Sequence, residues 1–137
     1  KKKLMDFNLY KKIINDLSKI NYSGILSFHF YGEPLLDKRL IEFTKYAISK
    51  IPKVYILIYT NGDYLDRDTF PELIKSGVRK FFVTEHEDKP PKKFLKWYKN
   101  SSNYEKKKII FEKMNKESIL SNRGGLIKVK NKKQFES

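Results

Sequence analysis

Three short stretches of this 137-residue chain combine polar and turn-forming residues in a way that could serve chemistry: Tyr31-Gly32-Glu33-Pro34, Thr60-Asn61-Gly62 and Thr84-Glu85-His86. Each follows directly on an apolar, β-branched or aromatic run. Glu33 offers a carboxylate that could accept an ammonium group through charge-assisted hydrogen bonds. Gly32 carries no side chain, so a ligand could approach the backbone there. Pro34 fixes the turn that presents the carboxylate. Thr60 and Asn61 bring a hydroxyl and an amide, and Gly62 permits a tight exit from its run. Taken singly, Gly-Glu-Pro and Asn-Gly are ordinary turn formers. Three such ends, one structural unit apart, favour a binding site.

The elements that must position them follow from periodicity. Asp6 is a plausible N-cap for a helix with Leu9, Ile13, Ile14, Leu17 and Ile20 on one side, which is helical spacing. A strand is expected over 25–30. Asp37 opens a second helix through Ser49, with Leu40, Ile41, Phe43, Thr44, Ala47 and Ile48 inward. Residues 54–59 form a strand of the kind covered on both faces. Asp66 or Asp68 caps a third, short helix that buries Phe70, Leu73 and Ile74, and Ser76-Gly77 closes it. Residues 79–84 form a third strand. Helices of this length between strands imply a parallel sheet with right-handed crossovers. All the strand ends named above then lie along one rim, where ligands of α/β sheets bind. Further on, residues 91–100 read as a helix burying Phe94, Leu95, Trp97 and Tyr98. Residues 101–103 read as a turn, and 107–113 leans to a strand. From Asn122 a loop and tail are expected.

Composition narrows the classes. The chain has no cysteine, which excludes a disulfide scaffold and an iron–sulfur cluster bound by its own thiolates. The longest apolar run, 54–59, is too short to span a bilayer, and no leader peptide is visible, so a soluble, cytoplasmic protein without a membrane span is expected. The first residue is not methionine, so the chain is read as beginning within a longer protein. The net charge is +14, and it is uneven: residues 1–88 hold 15 Lys/Arg against 12 Asp/Glu, residues 89–137 hold 15 against 4. A basic tail of this kind is most often a solvated surface, and it could also hold nucleic acid or an acidic partner. His29 reads as a core histidine. His86 has acidic neighbours, but adjacent strand residues face opposite ways, which disfavours a metal site. Trp97, Phe94 and Tyr98 read as core packing. No catalytic residue and no metal ligand is assigned.

From Ile25 to Thr84 the chain resembles the radical S-adenosylmethionine (radical SAM) enzymes. Tyr31-Gly32-Glu33-Pro34, followed by Leu35-Leu36-Asp37, is similar to that family's Gly-Gly-Glu-Pro strand end. Thr60-Asn61-Gly62 is similar to its next strand end, and "KSGVRKFFVT" to its third helix–strand step. "SNRGGL" at 121–126 is similar to a segment preceding a cysteine-rich SPASM-type extension in some members. The family's Cys-x3-Cys-x2-Cys loop is absent. The resemblance implies a partial parallel (β/α) barrel over 1–117 and a basic, loosely structured segment over 118–137. It implies S-adenosylmethionine contacts at Tyr31, Gly32, Glu33, Pro34, Thr60, Asn61, Gly62 and Thr84, with Glu33 meeting the methionine ammonium. It further implies, in the full-length enzyme, a 4Fe–4S cluster on cysteines outside this chain, an external electron donor, and a 5′-deoxyadenosyl radical that abstracts hydrogen from a small-molecule or peptide substrate. This cysteine-free piece would be inactive alone. The competing reading is a non-catalytic basic α/β module that binds RNA or an acidic partner through residues 89–137.

Overall fold

The computed structural model describes residues 4–28, 32–86 and 89–113. In chain order these form α1 (Phe7–Lys19), β1 (Ile25–Phe28), a 3₁₀ turn (Pro34–Leu36), α2 (Leu40–Lys50), β2 (Tyr55–Thr60), α3 (Thr69–Ser76), β3 (Val78–Glu85), α4 (Lys92–Lys99), α5 (Asn103–Lys107) and β4 (Ile109–Lys113). The four strands make one sheet in the order β1-β2-β3-β4, and every pairing is parallel. Parallel order was the condition on which the expected α/β fold depended, and the strand expected at 107–113 is present as β4.

Strands that are neighbours in sequence are also neighbours in the sheet. Right-handed crossovers between such strands put all the helices on one face. Burial agrees. Ile56, Ile58 and Thr60 of β2 are buried, as are Phe81 and Val83 of β3, while Tyr55, Leu57 and Tyr59 are not. Tyr59 and Phe82 stack at 5.1 Å on the second face. The helix-side face and its helices form one core containing Tyr10, Ile14, Phe43, Ile56, Phe70, Phe81 and Phe94. β3 carries one irregularity, because Leu57 pairs with Lys80 while Ile56 pairs with Val78.

Several local expectations need correction. Asp6 does cap α1, accepting from Leu9 N at 3.1 Å. However, Leu9, Ile13 and Ile20 are 49, 41 and 70% exposed. The face that packs is Phe7, Tyr10, Ile14 and Leu17, so α1 is apolar over a wider arc than this core covers. Asp37 does not open α2. Pro34 starts a 3₁₀ turn first, and α2 begins at Leu40. The Asp37 carboxylate instead accepts from Arg39, from its N–H at 3.0 Å and its guanidinium at 3.0 and 2.8 Å, which lowers its pKa. The turn expected over 101–103 runs directly into a short helix, α5, that the sequence reading does not assign. Its signal is the Ser102-x-x-Glu105 capping box, with both reciprocal hydrogen bonds formed. Gly77 ends α3 at φ +124° with Ile48 against its α-carbon, where any β-carbon would collide. The expected strand residues His29 and Phe30, the boundary at residue 117 and the basic segment 118–137 lie outside the described residues, while the front of the basic stretch from residue 89 forms α4, α5 and β4. Among the described residues no helix is long and apolar enough to cross a membrane.

Candidate functional site

The ends of β1 and β2 are joined through one carboxylate. Glu33 lies just past β1, where it precedes the Pro34–Leu36 turn and caps it, its Oε1 accepting from Leu35 N at 3.1 Å. The same oxygen accepts from the Thr60 hydroxyl at 2.6 Å, and Oε2 accepts from Asn61 N at 2.9 Å. A carboxylate has about four acceptor positions, so three donors leave one for a further cation or donor. Thr60 is 5% exposed. Its hydroxyl also accepts from Gly62 N at 3.1 Å, so Thr60 orients Glu33 from beneath. Asn61 turns its own Oδ1 to Asp63 N at 3.0 Å. Gly62 has φ +85°, a conformation that favours glycine, and a β-carbon there would press Val83 and Pro91 at 3.0–3.3 Å.

The structure thus brings Glu33, Thr60, Asn61 and Gly62 into one hydrogen-bonded unit. Gly32 is exposed, with open space where a β-carbon would lie. Pro34 holds the first position of the turn, and Tyr31 lies outside the described residues. Thr84 follows Val83, the register partner of Thr60, so it stands on the neighbouring strand on the face away from the helices. Glu85 comes next, its Oε2 3.9 Å from Lys113 Nζ. His86 forms an isolated bridge with Lys89. Among the described residues there is no group of three His, Cys, Asp or Glu side chains fit to hold a metal.

One residue of this rim escaped the sequence reading except as a helix cap. Asp66 accepts from the N–H groups of Asp68 and Thr69, both at 2.9 Å, and from the Thr69 hydroxyl at 3.2 Å. Its other oxygen meets Lys93 Nζ, from α4, at 2.9 Å. Burial pushes its pKa up, but Lys93 and the hydrogen bonds outweigh this and hold it down to about 2. A carboxylate whose pKa falls on folding stabilises the protein above its ordinary value and loses that contribution as pH falls through the folded value. Asp66→Asn is therefore expected to cost about 1.5–3 kcal/mol at pH 7. The difference from the parent should shrink below pH 4 and close near pH 2. Urea unfolding of both proteins across that range checks it, and a pH-independent difference would count against the assignment.

The chain is similar to an S-adenosyl-L-methionine-dependent dehydrogenase. It is 39% identical over 123 residues to the S-adenosyl-L-methionine-dependent 2-deoxy-scyllo-inosamine dehydrogenase of Niallia circulans, an alignment covering 90% of this chain and 48% of that enzyme. Its fold matches the crystal structure of BtrN in complex with AdoMet and 2-DOIA with a TM-score of 0.84 and 38% identity, covering 93% of this chain and 51% of BtrN. It matches selenomethionine BtrN in an open conformation with a TM-score of 0.68 and 35% identity, covering 81% and 45%. No family model matches the chain. The chain spans about half the length of the relatives it matches. These relatives are enzymes, and BtrN binds AdoMet.

The assignment to the radical SAM superfamily, with a SPASM-type extension, is corrected by these findings. What they support is likeness to the Niallia circulans dehydrogenase and to BtrN. Nor do they favour the reading as a basic RNA- or acidic-partner-binding module.

Proposed function

We propose that this chain forms the S-adenosylmethionine-binding half-sheet of a dehydrogenase acting on an alcohol group of an aminocyclitol. The observation that carries the proposal is the Glu33 carboxylate, fixed at the sheet rim by Thr60, Asn61 and Leu35 with an acceptor position to spare. The amino-acid end of S-adenosylmethionine brings an ammonium group to such a carboxylate. Gly32 and Pro34 flank the place of contact. Asn61 and Gly62 shape its second side, and Thr84 offers a hydroxyl one strand further along. Tyr31 belongs to the same stretch of sequence. The likeness to the Niallia circulans dehydrogenase and to AdoMet-bound BtrN supplies the reaction class.

Oxidising an alcohol breaks one C–H and one O–H bond, forms the carbonyl, and releases two electrons. When bound, S-adenosylmethionine would supply the acceptor for that hydrogen, with Glu33 holding its amino-acid end and Thr60 and Asn61 fixing Glu33. The residues of this chain bind, orient and exclude water, as protein groups around a reactive cofactor do. Without cysteine the chain offers no thiolates to a 4Fe–4S cluster. Such a cluster, and contact with an external electron donor, would fall to other parts of the whole polypeptide.

The barrel reading belongs here too. β1 pairs only with β2 among the described residues. Along its free edge runs an apolar cleft of about 370 Å³, lined in part by Leu4, Met5, Ile13, Leu26, Phe28 and Glu33. A further strand from elsewhere in the polypeptide would pair this edge and cover the cleft, as the first step toward closing a barrel.

Titration of S-adenosylmethionine into the whole polypeptide that contains this chain tests the proposal, followed by incubation with 2-deoxy-scyllo-inosamine. Saturable binding and release of one 5′-deoxyadenosine per ketone formed are expected. A well-folded protein that binds no S-adenosylmethionine would overturn it.

A further inference from the structure

The loop between β2 and α3 is fastened to one neighbour at two points. At its start, Gly62 lies so near Val83 and Pro91 that a β-carbon there would press on both. At its end, Asp66 is bonded to Lys93. Pro91 and Lys93 belong to the same short stretch, the start of α4. Thr69 tightens the loop further, its hydroxyl accepting from Asp66 N at 3.0 Å and sharing its one proton between Tyr64 O at 3.0 Å and Asp66 Oδ1 at 3.2 Å. The first residue of this loop is Asn61, whose N–H donates to Glu33 Oε2. A continuous path of contacts therefore leads from α4 through the loop to the carboxylate at the rim.

We propose that the Asp66–Lys93 ion pair positions the Asn61–Glu33 contact, so that α4, which makes no contact with that carboxylate, sets the affinity of the rim for its cationic ligand. This rests on the S-adenosylmethionine reading above. Neither Asp66 nor Lys93 need touch the ligand. Asp66 is 9% exposed and committed to four bonds, whereas Lys93 is 76% exposed at its side chain. Losing Lys93 takes the counter-ion from a nearly buried carboxylate, which costs stability, and it also frees one end of the loop. The change should therefore appear at the Asn61 N–H and in ligand affinity as well as in stability, which a purely structural role would not produce.

The test uses the whole polypeptide with Lys93→Met, which keeps the apolar stem, and Lys93→Arg, which restores the charge. Lys93→Met should raise the dissociation constant for S-adenosylmethionine roughly three- to tenfold, with a fall in unfolding temperature no larger than that of Asp66→Asn. Lys93→Arg should recover most of the affinity. Salt near 1 M should weaken parental binding toward that of Lys93→Met and change the variant less. Without any ligand, the Asn61 amide should exchange its hydrogen faster in Lys93→Met. Equal affinity and equal exchange in parent and Lys93→Met would overturn the inference and leave the binding site intact. Faster exchange in a parent background that binds no S-adenosylmethionine would instead overturn the site and keep the mechanical link. A matched loss of affinity and unfolding temperature, unrescued by arginine, would reduce the pair to a structural tie.

Discussion

Glu33→Gln is expected to weaken S-adenosylmethionine binding roughly ten- to a hundredfold and to lower folding stability by about 1–3 kcal/mol. The affinity loss follows from replacing a charge-assisted contact to the ligand's ammonium by a neutral one. The stability loss is a consequence of the observed bonding. From the sequence, a carboxylate on the rim bears no structural load, and the substitution should leave folding unchanged. In the structure both oxygens accept hydrogen bonds, one from Thr60 and Leu35 and the other from Asn61. A glutamine amide can match only one side. Its –NH₂ group must face either the Asn61 N–H or the pair formed by Leu35 N–H and the Thr60 hydroxyl, so a donor is set against a donor. Ligand titration and chemical unfolding of parent and variant separate the two effects. A variant with unchanged stability would show that the Thr60 and Asn61 bonds contribute nothing, and unchanged affinity would remove Glu33 from the binding site.

Phe94→Ala should cost about 3–5 kcal/mol, within the range for deleting a buried aromatic ring. Phe94 is 0% exposed. Its ring lies 6.0 Å from Trp97, 5.3 Å from Tyr98 and 5.5 Å from Phe111, which binds α4 to β4. Trp97 in turn sits 5.3 Å from Phe70 of α3. Removing Phe94 leaves a void that three aromatic neighbours cannot fill without tilting. A shift of the urea midpoint without a change in slope is the expected signature. A loss well under 1 kcal/mol would mean that this cluster is not the packed core it is taken to be.

The residues that punctuate the chain were the most legible part of it. β-branched and aromatic runs located β2 and β3 to within one residue at each end, but among the described residues β2 buries only Ile56, Ile58 and Thr60 and is not covered on both faces as its continuous run implied. Glu33, Thr60, Asn61 and Gly62 could be singled out because turn formers at successive parallel strand ends must share a rim. What could not be read was how they bond to one another. Nothing local says that Thr60 donates to Glu33 across 27 positions. Asp66 was visible as a cap, but its partner lies on a helix whose placement depends on Phe94 and Pro91. The exposed side of α1 was misjudged for a related reason: Leu9 and Ile13 fit the helical period, but period alone does not reveal how wide an arc a given sheet covers. The place of Asp37 was missed because Pro34 permits a tight turn that spends three residues before α2 can start.

The strand order has a consequence for assembly. Each strand's first partner is the next strand along the chain, so pairing can spread from one helix–strand unit to the next without waiting for a remote segment. Such a sheet acts as a template open at both sides. β1 at one margin and β4 at the other each present a row of backbone donors and acceptors that the described strands do not use. Unpaired among the described strands, these margins are able to recruit a second molecule. Solutions of this chain should therefore gain intermolecular β-structure as concentration rises.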